Sequence, residues 1–144
     1  MKLVVDASVF LAFVIPEEKE HGEAARFFAC CDTGKQQILF PALALAEVAG
    51  GVARRKRAPM KAALAVSRMQ RLAGVKFFPL TEQSAAAAAR LAANHFLRGA
   101  DAIYCQLARE KTVPLVTFDL EIRERATGVV RGLSPQAWMD SRGA

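Results

Sequence analysis

Short apolar, β-branched runs alternate along this chain with longer stretches of helical periodicity. Leu3-Val4-Val5 stops at Asp6 and reads as a buried strand that ends on a carboxylate. Ser8 then suits the cap of a helical turn. Pro16 suits a helix start. Glu17, Glu18 and Glu20 complement its positive end, Ala25, Phe28 and Ala29 supply an apolar face, and Gly34 ends it. Ile38-Leu39-Phe40 forms a second strand. Pro41 introduces an Ala- and Leu-rich helix over 43–54, and after the basic run Arg54-Arg55-Lys56-Arg57 a helix over 59–72 completes a helical hairpin. Gly74 breaks the pattern, 75–78 reads as a strand, and Thr81 with Glu82 begins an alanine-rich helix ending near Gly99. Asp101 opens the next helix. A strand over 113–117 runs into Phe118-Asp119, followed by a short charged helix, a weak strand at Val129-Val130 and a last helix started by Ser134-Pro135.

Strands that alternate with helices imply parallel βαβ crossovers with helices on both faces of the sheet. The expected fold is therefore α/β, a three-layer α/β/α sandwich with a mostly parallel central sheet. No repeat or linker divides the chain, and its 144 residues suit one domain spanning 1–144. The alanine run 85–89 reads as a closely packed helix.

Composition narrows the function classes. A hydrophobic fraction of 53% with 24% charged residues is that of a folded chain and leaves no segment with the signature of a disordered tail. The net charge of +6 favours encounters with polyanions without specifying one. No uncharged apolar run approaches the roughly 20 residues that span a bilayer. The opening stretch, interrupted at once by Asp6, lacks the parts of a signal peptide. Cys30, Cys31 and Cys105 form neither an even disulfide set nor a CxxC pair. A cytoplasmic protein that makes no membrane contact is expected, with the cysteines as small core residues.

The candidate chemistry lies in carboxylates. Ligands of open parallel sheets bind beyond the carboxyl ends of the strands, and Asp6 and Asp119 each follow an apolar strand. Asp101 begins a helix, and helix starts face the same edge. Glu47 is a lone charge between Ala42-Leu43-Ala44-Leu45-Ala46 and Val48-Ala49, which calls for compensation. Four converging acids repel one another and raise each other's pKa values unless cations lie between them. Hard oxygen donors select Mg²⁺ or Mn²⁺. With such ions a water can be deprotonated and aimed at a phosphodiester. Each acid also has a plainer role open to it: Asp101 as an N-cap, Asp6 and Asp119 as solvated strand-end turns, Glu47 on a solvent face with Gly50 and Gly51 marking a helix end. Ser8 and Thr117 are either local caps or supports of the acids. Arg54 and Arg55 of the basic run, with Lys61, Arg68 and Arg71 beyond it, either follow a phosphate backbone or form a solvated face, and Arg98 beside Asp101 is better placed for phosphate. His21 and His95 are too isolated for acid/base work, and Trp138 reads as a packing anchor.

These motifs resemble those of the PIN-domain ribonucleases, most closely the single-domain VapC-type toxins of toxin–antitoxin pairs. VVDASVF is similar to the family's opening strand and first acid, LALAEVAGG to the helix bearing its glutamate, RGADAIYCQLA to its third acidic motif and LVTFD to its Thr-x-Asp strand end. The resemblance implies that Asp6, Glu47, Asp101 and Asp119 are metal ligands and catalytic residues of a Mg²⁺- or Mn²⁺-dependent endoribonuclease. It also implies a homodimer neutralised by a small cognate antitoxin. Cys105 stands where alanine is commoner in the family, and Gly50-Gly51 weakens the helix after Glu47; neither removes a ligand.

Three other classes make different demands on the sequence. A phosphatase of the haloacid dehalogenase type needs a second acid two positions after the first, where this chain has Ser8. A dinucleotide-binding enzyme needs a glycine-rich turn after the first strand, and none is present. A non-catalytic RNA- or protein-binding PIN-like module keeps the basic face without metal dependence, and is the alternative from another class.

Overall fold

The structure is a computed structural model and describes residues 1–143. Five parallel strands form its sheet, in the order β3 (Val75–Phe78), β2 (Gln37–Pro41), β1 (Lys2–Val5), β4 (Leu115–Val116), β5 (Gly132–Leu133). Helices α1 (Ala7–Val14) and α2 (His21–Thr33) join β1 to β2, while α3 (Leu43–Lys56) and α4 (Pro59–Gln70) join β2 to β3. The chain then crosses back through α5 (Glu82–His95) and α6 (Gly99–Lys111) to β4, on the other side of β1. The short α7 (Leu120–Arg125) leads to β5, and α8 (Pro135–Asp140) closes on α2. The wholly parallel sheet agrees with the expected α/β/α fold.

Parallel strands covered on both faces must be apolar on both faces. Leu3, Val4, Val5, Leu115 and Val116 are accordingly fully buried, each such side chain contributing about 1.5–3 kcal/mol through burial. Over one layer, Phe10 and Phe27 each meet Phe28 edge-on, and Phe27 packs at 5.2 Å on Trp138, confirming that tryptophan as a packing anchor. His21 Nδ1 donates to Ala12 O at 2.9 Å and ties α2 to α1.

Strand order also decides where a site can form. The chain leaves β1 toward β2 on one side and returns to β4 on the other, so the direction of winding reverses between β1 and β4. A crevice opens beyond the strand ends at such a reversal. Asp6 follows β1 and Thr117-Phe118-Asp119 follows β4, with Asp6 N donating to Val116 O at 2.9 Å.

Several elements depart from the pattern read in the sequence. Helix α2 begins at His21 and not at Pro16, because Glu17 and Glu18 pair with Lys56 and Arg55 of α3 at 2.5 and 2.8 Å and so tie the turn before α2 to that helix. Gly50 and Gly51 lie inside α3, which continues to Lys56. The alanine-rich helix ends at His95, with Phe96 left-handed at φ 55°, and Arg98 caps a new helix in which Asp101 is the third residue and not the cap. Val129 and Val130 form a turn after Gly128, both donating to Ala126 O, and the strand is instead Gly132–Leu133.

Gly74 is required where it stands. Its φ is +72°, and a Cβ there would lie 2.5 Å from Gln36 O, at the turn that aligns β3 with β2. Gly74→Ala is expected to cost about 2 kcal/mol or more, lowering the melting temperature by roughly 4–8 °C. A thermal melt followed by circular dichroism checks this, and an unchanged midpoint would contradict it.

Candidate active site

Asp6, Glu47, Asp101 and Asp119 come from the end of β1, the second turn of α3, the first turn of α6 and the residue before α7, and all four line one cleft of about 570 Å³. Arg54, Arg55 and Arg98 line the same cleft. Lys61 and Arg68 do not: they border a separate groove beside Leu64, and the Arg68 guanidinium lies 4.3 Å over the ring of Phe13.

Asp6 is the most deeply set of the acids, only 7% exposed. Its Oδ2 accepts from Ser8 Oγ at 2.6 Å and Thr117 Oγ1 at 2.9 Å. Those hydroxyls in turn accept from Phe118 N at 3.4 Å and Asp119 N at 3.0 Å. Ser8 and Thr117 are thus not mere local caps but links in a network that fixes Asp6 and joins the ends of β1 and β4. Burial pushes the Asp6 carboxyl above its ordinary range, the two hydroxyls partly offset this, and Asp101 adds repulsion.

Asp119 is held from its own helix. Its Oδ1 accepts from Glu121 N at 2.9 Å and Ile122 N at 3.4 Å, the N-cap arrangement that suits a carboxylate. Its Oδ2 accepts from Arg98 Nη2 at 3.1 Å, while Arg98 Nε donates to Asp101 Oδ2 at 3.0 Å. One guanidinium therefore bridges two of the four acids. Asp101 is nonetheless shifted upward, by burial first and by Asp119 in addition, with Arg98 working against both.

Glu47 faces the cleft, not solvent. Its Oε1 accepts from Tyr104 Oη at 2.6 Å, and burial raises its carboxyl, with repulsion from Asp6 and Asp101 adding to the shift. Tyr104 is not among the sequence candidates, although its signal is a single hydroxyl three residues after Asp101 on a helix that is otherwise apolar there. The glutamates beside Pro16 also reach this region, Glu18 and Glu20 forming part of the cleft wall. Cys105 has its thiol pushed up to about 12 by burial and the nearby acids, and Cys31 reaches about 12 chiefly by burial, so both are protonated core residues.

Among the described residues no three His, Cys, Asp or Glu side chains are gathered closely enough to hold one ion directly. The chemistry nevertheless fits, because the acids are hard oxygen donors, three of them are shifted upward by burial and mutual repulsion, and two already share a cation in Arg98. No helix of the described residues is long and apolar enough to cross a membrane.

Sequence comparison matches residues 3–128 to the PIN domain, and the chain belongs to the PIN-domain family. No curated relative matches significantly in sequence. Among solved structures, the chain is similar in fold to VapC20 of Mycobacterium tuberculosis, described as a sarcin-ricin-loop-cleaving toxin, with 20% identity, a TM-score of 0.74 and coverage of 85% of this chain and 93% of that one. It is also similar to VapBC2 from Rickettsia felis bound to a promoter DNA fragment, at 10% identity, TM-score 0.72, and coverage of 93% and 98%. A toxin–antitoxin complex from Klebsiella pneumoniae matches at 16% identity, TM-score 0.64, and coverage of 92% and 97%. These similarities lie in the fold.

Proposed function

We propose that this chain is one PIN nuclease domain that hydrolyses RNA phosphodiester bonds as a divalent-cation-dependent endoribonuclease, and that it is the toxin of a toxin–antitoxin pair. The observation carrying this is the arrival of Asp6, Glu47, Asp101 and Asp119 from four separate elements in one cleft with arginines at its wall. A small antitoxin, a homodimer and a cytoplasmic setting belong to the same proposal. The toxin–antitoxin complexes of similar fold support the antitoxin partner.

On this reading the four acids hold Mg²⁺ or Mn²⁺, which when bound supplies a water of lowered pKa and stabilises charge on the phosphate. The chain's own residues do the rest. Ser8 and Thr117 favour the ionised form of Asp6 against its burial and fix its orientation. Arg54 stands exposed on the cleft wall and is available to a phosphate, whereas Arg55 is anchored by Glu18 and by Gly51 O and shapes the wall. Arg98, with its side chain 72% exposed, is free to leave the acids and meet a phosphate oxygen. Arg98→Gln is accordingly expected to strengthen Mn²⁺ binding several-fold at low ionic strength while weakening RNA binding. Calorimetric titration checks it, and unchanged Mn²⁺ affinity would show that the guanidinium does not compete.

The Arg98 bridge, which already neutralises part of the acid cluster, and the spread of the acids favour a non-catalytic RNA- or protein-binding module. Incubating a mixed RNA pool with the purified chain in Mg²⁺, Mn²⁺ or EDTA separates the readings. Cleavage that stops in EDTA is expected; binding without cleavage in any metal would overturn the nuclease.

A further inference from the structure

We propose that Tyr104 is a positioning residue for Glu47, fixing the one flexible acid of the cleft for its cation; this rests on the metal-dependent reading above. Asp6 is held by two hydroxyls and Asp119 by two backbone N–H groups, and Asp101 is a short side chain in the first turn of α6 that pairs with Arg98. Glu47 has the longest side chain of the four, with the most rotamer freedom to lose. Among the described residues its hydrogen-bond partner is Tyr104 Oη.

The phenol is suited to that task by where it is anchored. Tyr104 is 0% exposed, on a helix packed against β1 and β2, so its ring is fixed by the core and its hydroxyl has little freedom. It lies one helical turn after Asp101, on the same side of α6. The 2.6 Å bond from Oη to Oε1 therefore registers the acid of α3 against the acid of α6. A phenol donating to a carboxylate is a short, charge-assisted bond that stabilises the ionised acid. It engages one oxygen and leaves Oε2 for a cation. A buried phenol needs a partner in any case, so the decisive question is whether the bond matters to cation binding or only to the core.

Mn²⁺ binding by calorimetry on wild type, Tyr104→Phe, Glu47→Gln and the double variant answers it. Tyr104→Phe is expected to weaken Mn²⁺ binding about tenfold, with most of the RNA cleavage rate recovered at saturating Mn²⁺. In the Glu47→Gln background the same change should add less than about twofold. Tyr104 is the chain's only tyrosine, so isotope-labelled tyrosine gives one ring signal in the wild type. That signal is expected to shift on Mg²⁺ titration, a readout that stands even where Tyr104→Phe folds poorly. Wild-type Mn²⁺ affinity in Tyr104→Phe, an equal loss in the Glu47→Gln background, or a ring signal indifferent to saturating Mg²⁺ would overturn the role while leaving the nuclease standing. Failure of the wild type to bind either ion would overturn both.

Discussion

Asp6→Asn is expected to reduce RNA cleavage by about 10³-fold and, in the metal-free protein, to raise the melting temperature. Both effects come from the same environment. Asn keeps the shape of Asp, and the Ser8 and Thr117 hydroxyls can still pair with its side-chain amide, so the fold survives. What disappears is a buried negative charge beside Asp101. The pH dependence follows in sign. Asp6 titrates higher in the native state than in the unfolded chain, where an aspartate titrates near 4. As pH rises above about 4, the unfolded chain releases this proton first, so metal-free stability falls until the native carboxyl also ionises and then stays reduced. Glu47 and Asp101 are shifted in the same direction and add to the slope. Between about pH 4 and neutrality the melting temperature of metal-free Asp6→Asn should therefore gain on that of the wild type. An Asn variant that cleaves at the wild-type rate would remove Asp6 from the catalytic set.

The second large effect is stabilisation by the cation. A ligand that binds only the native state adds about 2.7 kcal/mol at a hundredfold excess over its Kd, which for a chain of this size is a rise of roughly 5–10 °C in melting temperature. Mn²⁺ at that level should produce such a rise in the wild type and little in Asp6→Asn. The gain should grow with pH across the range in which the acids ionise, the reverse of the metal-free slope, because only deprotonated carboxylates ligate. Differential scanning fluorimetry with and without Mn²⁺ measures both. Equal shifts in wild type and variant would place the ion elsewhere on the molecule.

Much of this arrangement was legible in the chain itself. Apolar runs ending at Asp6 and just before Asp119 marked two strands and the edge to which they deliver acids, and Glu47 was conspicuous as a charge within an apolar helix. The less legible parts depend on tertiary contact. Nothing local says that Glu17 and Glu18 pair with α3 instead of starting a helix, since Lys56 and Arg55 lie nearly forty residues away. The Ser8 and Thr117 hydroxyls look like caps until the β1–β4 pairing brings them to the same oxygen. Tyr104 reads as a core aromatic until α6 is laid beside α3. β-branched residues favour strands, which points to Val129-Val130, whereas the turn after Gly128 makes pairing resume only at Gly132-Leu133.

The central claim is that the four carboxylates of the cleft act together in binding divalent cations. Its most direct test is Mn²⁺ binding followed by electron paramagnetic resonance on the wild type and on Asp6→Asn, Glu47→Gln, Asp101→Asn and Asp119→Asn. The account predicts bound Mn²⁺ in the wild type and weaker binding in every variant. Unchanged affinity across all four would contradict it.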